Sequence, residues 1–281
     1  MYKIIKNEKI SPNSYLLEVK AEDLTKKALP GQFAIIMAKS DSERIPLTIY
    51  DYDKEKGIAS FIYQVIGAST EELTTIKDEV FAVVGPLGNE NEICANPKEY
   101  KDKRIVYVAG GVGIAPVYPQ IKFLKEKGLK VDLIYGAREK ELLLIRDKIE
   151  EVSNKVIYVT DDGSFGDKGF VTTALEKSIN DYDICVAIGP VIMMKNVAEL
   201  TRKYNLKTIV SMNPLMVDGS GMCGACRCEV EGKPKFACIH GPEFDGHKVN
   251  FDIALKRMNI YKEEELEKFE EMKELLNVKD I

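Results

Sequence analysis

Four of the chain's six cysteines, Cys223, Cys226, Cys228 and Cys238, fall between Val217 and Gly241, in the run VDGSGMCGACRCEVEGKPKFACIHG. Thiols bunched in one short stretch point to metal ligation rather than a disulfide framework. Cys223 and Cys226 form C-x2-C, and Cys238 follows after eleven residues. Where the C-x4-C-x2-C…C spacing of a [2Fe-2S] ligand set puts its first thiolate, this chain has Asp218, giving D-x4-C-x2-C-x11-C. A carboxylate has the charge of a thiolate but is a harder donor, so such a cluster would be electronically unsymmetrical. Gly219, Gly221 and Gly224 allow a tight wrap, and the Glu231-Gly232-Lys233-Pro234 turn returns Cys238 on a hairpin. Two rival sets remain open: a structural zinc on C-x2-C-x-C-x9-C through Cys228, and an iron-sulfur cluster ligated by Cys228 in place of Asp218. His240 and His247 are further donors, better suited to supporting or surface roles.

Three upstream groups of residues could hold phosphates. Arg44-Ile45-Pro46-Leu47-Thr48 offers a cation for a diphosphate and a hydroxyl a few residues on for a ring edge. Gly67-Ala68-Ser69-Thr70 leads into a helical start whose amides and hydroxyls suit an anion. Gly85-Pro86-Leu87-Gly88-Asn89 is a turn where Gly85 and Gly88 permit close approach. Further on, Gly110-Gly111-Val112-Gly113 precedes Pro116 in a first helical turn, so a diphosphate could meet the backbone and the helix N-terminus together. Arg138, Asp161 and Gly189 stand at three later strand ends; Asp161 and Asp162 would repel a 2′-phosphate and favour NAD(H), with NADP(H) as the other candidate.

These positions need a scaffold. Up to about Asn89 the chain reads as short β-rich runs (15–19, 32–37, 47–50, 59–66 and 80–84) separated by Gly and Pro, the pattern of a small barrel. Beyond Asn96-Pro97 the period changes. Strands at 104–109, 131–135, 156–159, 184–188 and 207–210 alternate with helices at 116–127, 141–152, 171–179 and 191–204, as in a doubly wound parallel sheet. Ligands of such sheets lie outside the carboxyl ends of the strands, where the small and polar residues just named fall. From Tyr261 a charged tail carries Leu266, Phe269, Met272 and Leu276 at helical spacing, an amphipathic helix expected to pack on the protein's own body.

At 281 residues and 45% hydrophobic content the chain can build two compact domains and a small appendage. A net charge of -5, with no basic run interleaved with aromatics, argues against nucleic acid as a partner. Neither a signal peptide nor the roughly 20 consecutive apolar residues of a membrane span is present, so no membrane association and a cytoplasmic location are expected.

Arg44-Ile45-Pro46-Leu47-Thr48, the Gly67–Thr70 turn, GGVGIAP at 110–116 and the Gly189-Pro190 strand end together resemble the ferredoxin-NADP reductase superfamily. The resemblance implies FAD in the barrel, with Arg44 at the pyrophosphate, Thr48 near the flavin N5 as the catalytic candidate and 67–70 at the phosphates. It implies a nicotinamide dinucleotide in the crevice, stacked toward the flavin. In domain order the chain is similar to dihydroorotate dehydrogenase electron-transfer subunits, which use four cysteines; the Asp, with MVDGSGMCGACR and FACIHGPEFDGH, resembles the small-subunit family of NADH-dependent reduced ferredoxin:NADP oxidoreductases. That resemblance implies the ligands Asp218, Cys223, Cys226 and Cys238. It also implies a larger flavoprotein partner with its own FAD and [4Fe-4S] clusters, and coupling of NADH, NADPH and ferredoxin by electron bifurcation. The divisions expected are an FAD-binding barrel at 1–95, an NAD(P)-binding α/β domain at 96–212, a [2Fe-2S] domain at 213–250 and a helical tail at 251–281. A dihydroorotate-linked subunit and a zinc-stabilised binding module are the alternatives.

Overall fold

The computed structural model describes residues 1–279, and the side chains of residues 1–275. The chain begins with antiparallel strands: β1 (Tyr2–Ser11), β2 (Ser14–Lys20), then helix α1 (Glu22–Lys27), β3 (Phe33–Met37), β4 (Ile45–Thr48), β5 (Asp51–Asp53), β6 (Ile58–Gln64), helix α2 (Ala68–Thr75), β7 (Glu79–Val80) and β8 (Ala82–Leu87). They form a five-stranded sheet, β5-β6-β2-β1-β7, and a three-stranded sheet, β4-β3-β8. Leu17, Val19, Ala34, Ile36, Leu47 and Phe61 fill the space between the two. β1 escapes the sequence reading because its residues, YKIIKNEKIS, are polar at most positions; only Ile4 is buried.

Asn91 is fully buried, and its side chain accepts from the amides of Ile93 and Cys94, capping α3 (Glu92–Ala95). The parallel sheet and its helices then follow as β9 (Ile105–Gly110), α4 (Ile114–Glu126), β10 (Val131–Ala137), α5 (Arg146–Val152), β11 (Lys155–Thr160), β12 (Asp167–Lys168), α6 (Val171–Ser178), β13 (Ile184–Ile188), α7 (Val191–Lys203) and β14 (Lys207–Ser211). The spatial order β12-β11-β10-β9-β13-β14 is parallel throughout. Helices on both faces explain why every residue of β9 is buried, a continuous apolar run rather than an alternating one. The helix expected from Glu141 starts only at Arg146, because the Leu144 amide donates to the Tyr135 hydroxyl (2.9 Å) and Ile145 takes a left-handed turn.

The last part contains β15 (Arg227–Val230), β16 (Lys233–Phe236), α8 (Ala237–His240), β17 (Glu243–Asp245), α9 (Phe251–Met258) and α10 (Lys262–Lys279). β17 adds to the parallel sheet, antiparallel to β14, so the cysteine-bearing segment is stitched into the nucleotide sheet. Barrel and parallel sheet are held together by the Lys122–Asp51 ion pair (2.8 Å) and the Tyr50–Tyr118 ring contact (5.0 Å), with Lys148 above Tyr50. The tail helix does pack on the body, against α2. Phe269 and Met272 are half-buried there, whereas Leu266 is 53% exposed and off the packed face; the side chain of Leu276 lies outside the described residues. No helix among the described residues is long and apolar enough to cross a membrane.

Candidate functional site

The strand period sorts the barrel candidates. Along β4, Ile45 and Leu47 point into the barrel core, while Pro46 and Thr48 lie on the opposite face, continuous with exposed Arg44 just before the strand. Leu47 is therefore a core side chain whose contribution to a ligand is limited to its backbone. Thr48 lies opposite Phe33, and Phe33 in turn lies opposite Leu87. On the neighbouring helix, Thr70 Oγ1 accepts from the amides of Ile66 (3.1 Å) and Gly67 (3.2 Å) and donates to the Gly67 carbonyl (2.9 Å), so it shapes the turn. A Cβ on Gly67 would meet nothing within 4 Å, which leaves the approach to this turn open. Ser69 donates to Glu43. Gly85 is pressed on Ala34, and Gly88 on Phe33 and Pro242.

The glycines of the parallel sheet divide the same way. A Cβ on Gly113 would stand 2.4 Å from the Ile188 carbonyl oxygen, and one on Gly110 would stand 2.5 Å from Met193 Sδ. Gly189 is hemmed in by Met193 and Gly110. These three let the ends of β9 and β13 come together. Gly111, at φ +54°, has open space where a side chain would be, at the head of α4. Arg138 and Asp161 are exposed at the adjoining strand ends, joined by the Asp161 amide to the Ala137 carbonyl (3.1 Å). Asp162 is committed elsewhere: its carboxylate accepts from the Ser164 amide (2.9 Å) and hydroxyl (2.7 Å), which hold it below the usual carboxylate range. Met193, which touches both strand ends, was missed in the sequence; its place in the first turn after Gly189-Pro190 was the available signal.

In the cysteine segment two contacts stand out, one at the Asp218 carboxylate and one between the Cys226 and Cys238 thiols. Asp218 accepts from the Ser220 amide (2.6 Å), the Ser220 hydroxyl (3.1 Å) and the Cys223 amide (2.8 Å), and the Ser220 amide leads in holding it ionised below its ordinary range. Cys226 and Cys238 are buried with their sulfurs 3.2 Å apart. Burial, then the Cys226 contact, pushes the Cys238 thiol up to about 12. Cys228 is buried beside Val191, Met212 and Arg257, with its thiol 3.9 Å from the Cys226 carbonyl. His240 Nδ1 accepts from the Phe236 amide (3.1 Å), and His247 is 3.0 Å from the Thr201 hydroxyl. Among the described residues no three His, Cys, Asp or Glu side chains converge on one point. The Cys226–Cys238 thiol pair, with Asp218 and Cys223 on the adjoining glycine-rich loop, suits a binuclear cluster, whose irons take their protein ligands separately.

This segment lies directly on the barrel. Phe33, Ile35 and Leu87 share one apolar cluster with Met212, Met216, Cys226 and Cys238. The Asn89 amide donates to the Gly241 carbonyl (2.8 Å), and the Asn89 side chain to the Ile239 carbonyl (3.0 Å). Beneath, Glu243 of β17 accepts from Asn91 (2.6 Å) and from fully buried Gln120 of α4 (2.8 Å), joining all three parts of the chain. Desolvation raises its carboxyl to about 7. No sequence signal marked Glu243, Asn91 or Gln120, which are far apart in the chain.

An antiparallel barrel, a doubly wound sheet with an open glycine at its switch point and a thiol-rich loop between them define a flavin- and pyridine-nucleotide-dependent iron-sulfur oxidoreductase. Residues 107–199 match the oxidoreductase NAD-binding domain, and residues 213–250 match the iron-sulfur cluster binding domain of dihydroorotate dehydrogenase B. The chain is 46% identical to a Clostridium beijerinckii protein described as "Uncharacterized protein in adh 3'region" (94% of this chain, 92% of that one). It is 44% identical to a dihydroorotate dehydrogenase B (NAD(+)) electron transfer subunit homolog of Thermotoga maritima (93% and 92%). A solved NADH-dependent reduced ferredoxin-NADP oxidoreductase structure superposes with a TM-score of 0.88 at 41% identity, over 96% of this chain and 97% of that one. The chain belongs to the family of dihydroorotate dehydrogenase B electron-transfer subunits and their homologues. Its cofactors are FAD, NAD(H) or NADP(H), and an iron-sulfur cluster, which displaces the zinc-module reading.

Proposed function

We propose that the chain is the small subunit of an NADH-dependent reduced ferredoxin:NADP oxidoreductase that couples NADH, NADPH and ferredoxin by electron bifurcation. Its [2Fe-2S] cluster would exchange electrons with a larger flavoprotein subunit carrying FAD and [4Fe-4S] clusters. The observation that carries this reading is Asp218, standing at the first-ligand position and held ionised by the Ser220 and Cys223 amides. Bound, FAD supplies the conversion between hydride transfer and the single-electron steps of an iron-sulfur cluster.

The chain's own groups have distinct tasks. Asp218 and Cys223 hold one side of the cluster; Cys226 and Cys238 hold the other and must lose their protons to do so. Arg44 binds the flavin diphosphate, the backbone amides of the first turn of α2, that of Ser69 included, add donors, and the Thr48 hydroxyl orients the ring edge. Gly111 and the α4 amides take the diphosphate of the nicotinamide dinucleotide, with Arg138 at its flank. Asp161 disfavours a 2′-phosphate and thereby selects NAD(H). Packing of the cluster loop on Leu87, beside Phe33 and Thr48, supports a short path between flavin and cluster.

The 213–250 family match and the Thermotoga maritima relative favour a second reading, the electron-transfer subunit of a dihydroorotate dehydrogenase. Anaerobic purification of the native complex, with its partner chain, flavin, iron and sulfide determined, separates the two. NADP reduction that needs both NADH and reduced ferredoxin is expected. Dihydroorotate oxidation by the purified complex, without that coupled reaction, would overturn the first reading in favour of the second.

A further inference from the structure

The tail helix α10 reaches back to the barrel and lies along α2, the helix whose first turn carries Ser69 and Thr70. Lys268 Nζ is 3.8 Å from Glu43 Oε1, and the other oxygen of Glu43 accepts from the Ser69 hydroxyl. Glu43 immediately precedes Arg44. The same loop is tied to α2 a second time, since Lys39 (2.7 Å) and Ser42 (2.7 Å) both bond Glu72. Phe269 and Met272 of α10 are half-buried.

Glu43 therefore puts a negative charge beside the Ser69 hydroxyl in the first turn of α2, next in sequence to Arg44, where the groups are otherwise arranged to attract an anion. A phosphate seated there would be repelled unless Glu43 were neutralised, and the cation that contacts it comes from the tail. We infer that α10 is part of the flavin site: it braces α2, and Lys268 neutralises Glu43 so that the dinucleotide phosphates can bind beside it. Lys268 is thus a positioning residue. The inference rests on the assignment of FAD to this barrel face.

Binding of FAD to the deflavinated full-length protein, titrated by flavin fluorescence, tests it. Lys268→Glu is expected to weaken FAD about fivefold at low salt, the upper range for an exposed pair, with the loss shrinking at about 1 M salt. The same change made together with Glu43→Gln should weaken FAD by less than twofold relative to Glu43→Gln alone. Phe269→Asp, which detaches the helix, should weaken FAD at least as much as Lys268→Glu while leaving NADH affinity unaltered. Unchanged FAD affinity in Lys268→Glu, or an equal loss with and without Glu43, overturns the inference. A wild-type protein that takes up no FAD removes the flavin assignment itself, which is a different result.

Discussion

Gly219 sits against Leu87 so closely that a Cβ built on it would stand 2.8 Å from Leu87 Cδ1 and 3.1 Å from Ile35 Cγ1. With φ at +74° this residue lies where a side chain is strained, so both backbone and contact require glycine. The cluster loop and the barrel thus meet without a spacer. Gly219→Ala is expected to cost about 1–3 kcal/mol and to lower iron and sulfide per chain, as the loop shifts off Leu87. Thermal unfolding and metal analysis of the same preparation check both effects, and a fully loaded variant of unchanged stability would contradict this account.

Asp218 gives the second prediction. Its carboxylate organises the loop, through the Ser220 and Cys223 amides, and in the proposed ligand set it would be the hard donor. Asp218→Cys should keep a cluster with a changed visible and electron-paramagnetic spectrum, whereas Asp218→Ala should lose most of it. Cys228→Ser should leave the spectrum as in the wild type, since that thiol is packed by Val191 and Met212. A loss of cluster in Cys228→Ser would move the ligand assignment to Cys228.

Much of this was legible beforehand, and the limits have physical causes. β9, β10, β13 and β14 are buried on both faces, so they stand out as apolar runs with small residues at their carboxyl ends. β1 and β17 were not legible, because one is mostly polar and the other is the three residues Glu243–Asp245, paired only through β14. Local order proposed Arg44, Leu47 and Thr48 together, yet Leu47 turns inward: the alternation of β4 depends on which face meets the core. Gly111 could not be told from Gly113 by type; only the Ile188 carbonyl beside Gly113 separates a packing glycine from an open one.

That separation is testable. Gly113→Ala should destabilise the protein by about 1–3 kcal/mol through overpacking on Ile188. Gly111→Ala carries only the strain of its positive φ, about 1–2 kcal/mol, while its methyl intrudes on the space where a dinucleotide would lie. In Gly111→Ala, NADH affinity should fall more than tenfold with a modest change in melting temperature. In Gly113→Ala the melting temperature should fall most. Equal behaviour of the two variants would remove Gly111 from the nucleotide site.

Glu243 predicts a pH dependence. Its carboxyl is raised from 4.5 to about 7 because Asn91 and Gln120 only partly replace the water it has lost. Between those values the folded protein binds the proton and the unfolded chain does not, so stability falls as pH rises through the window and levels off above it. The full effect is about 3 kcal/mol, with nearby Glu92 adding repulsion. Glu243→Gln should flatten this slope: the buried Gln120 Oε1 lacks a partner and, with that amide turned over, can accept from the new side chain. The carboxylates held low elsewhere, such as Asp183 beside Arg104, act with the opposite sign and only in more acidic solution. The difference between wild type and Glu243→Gln in urea unfolding from pH 5 to pH 8 therefore isolates the one group. A wild type whose stability rises across that range relative to the variant would show that the junction carries its charge without penalty.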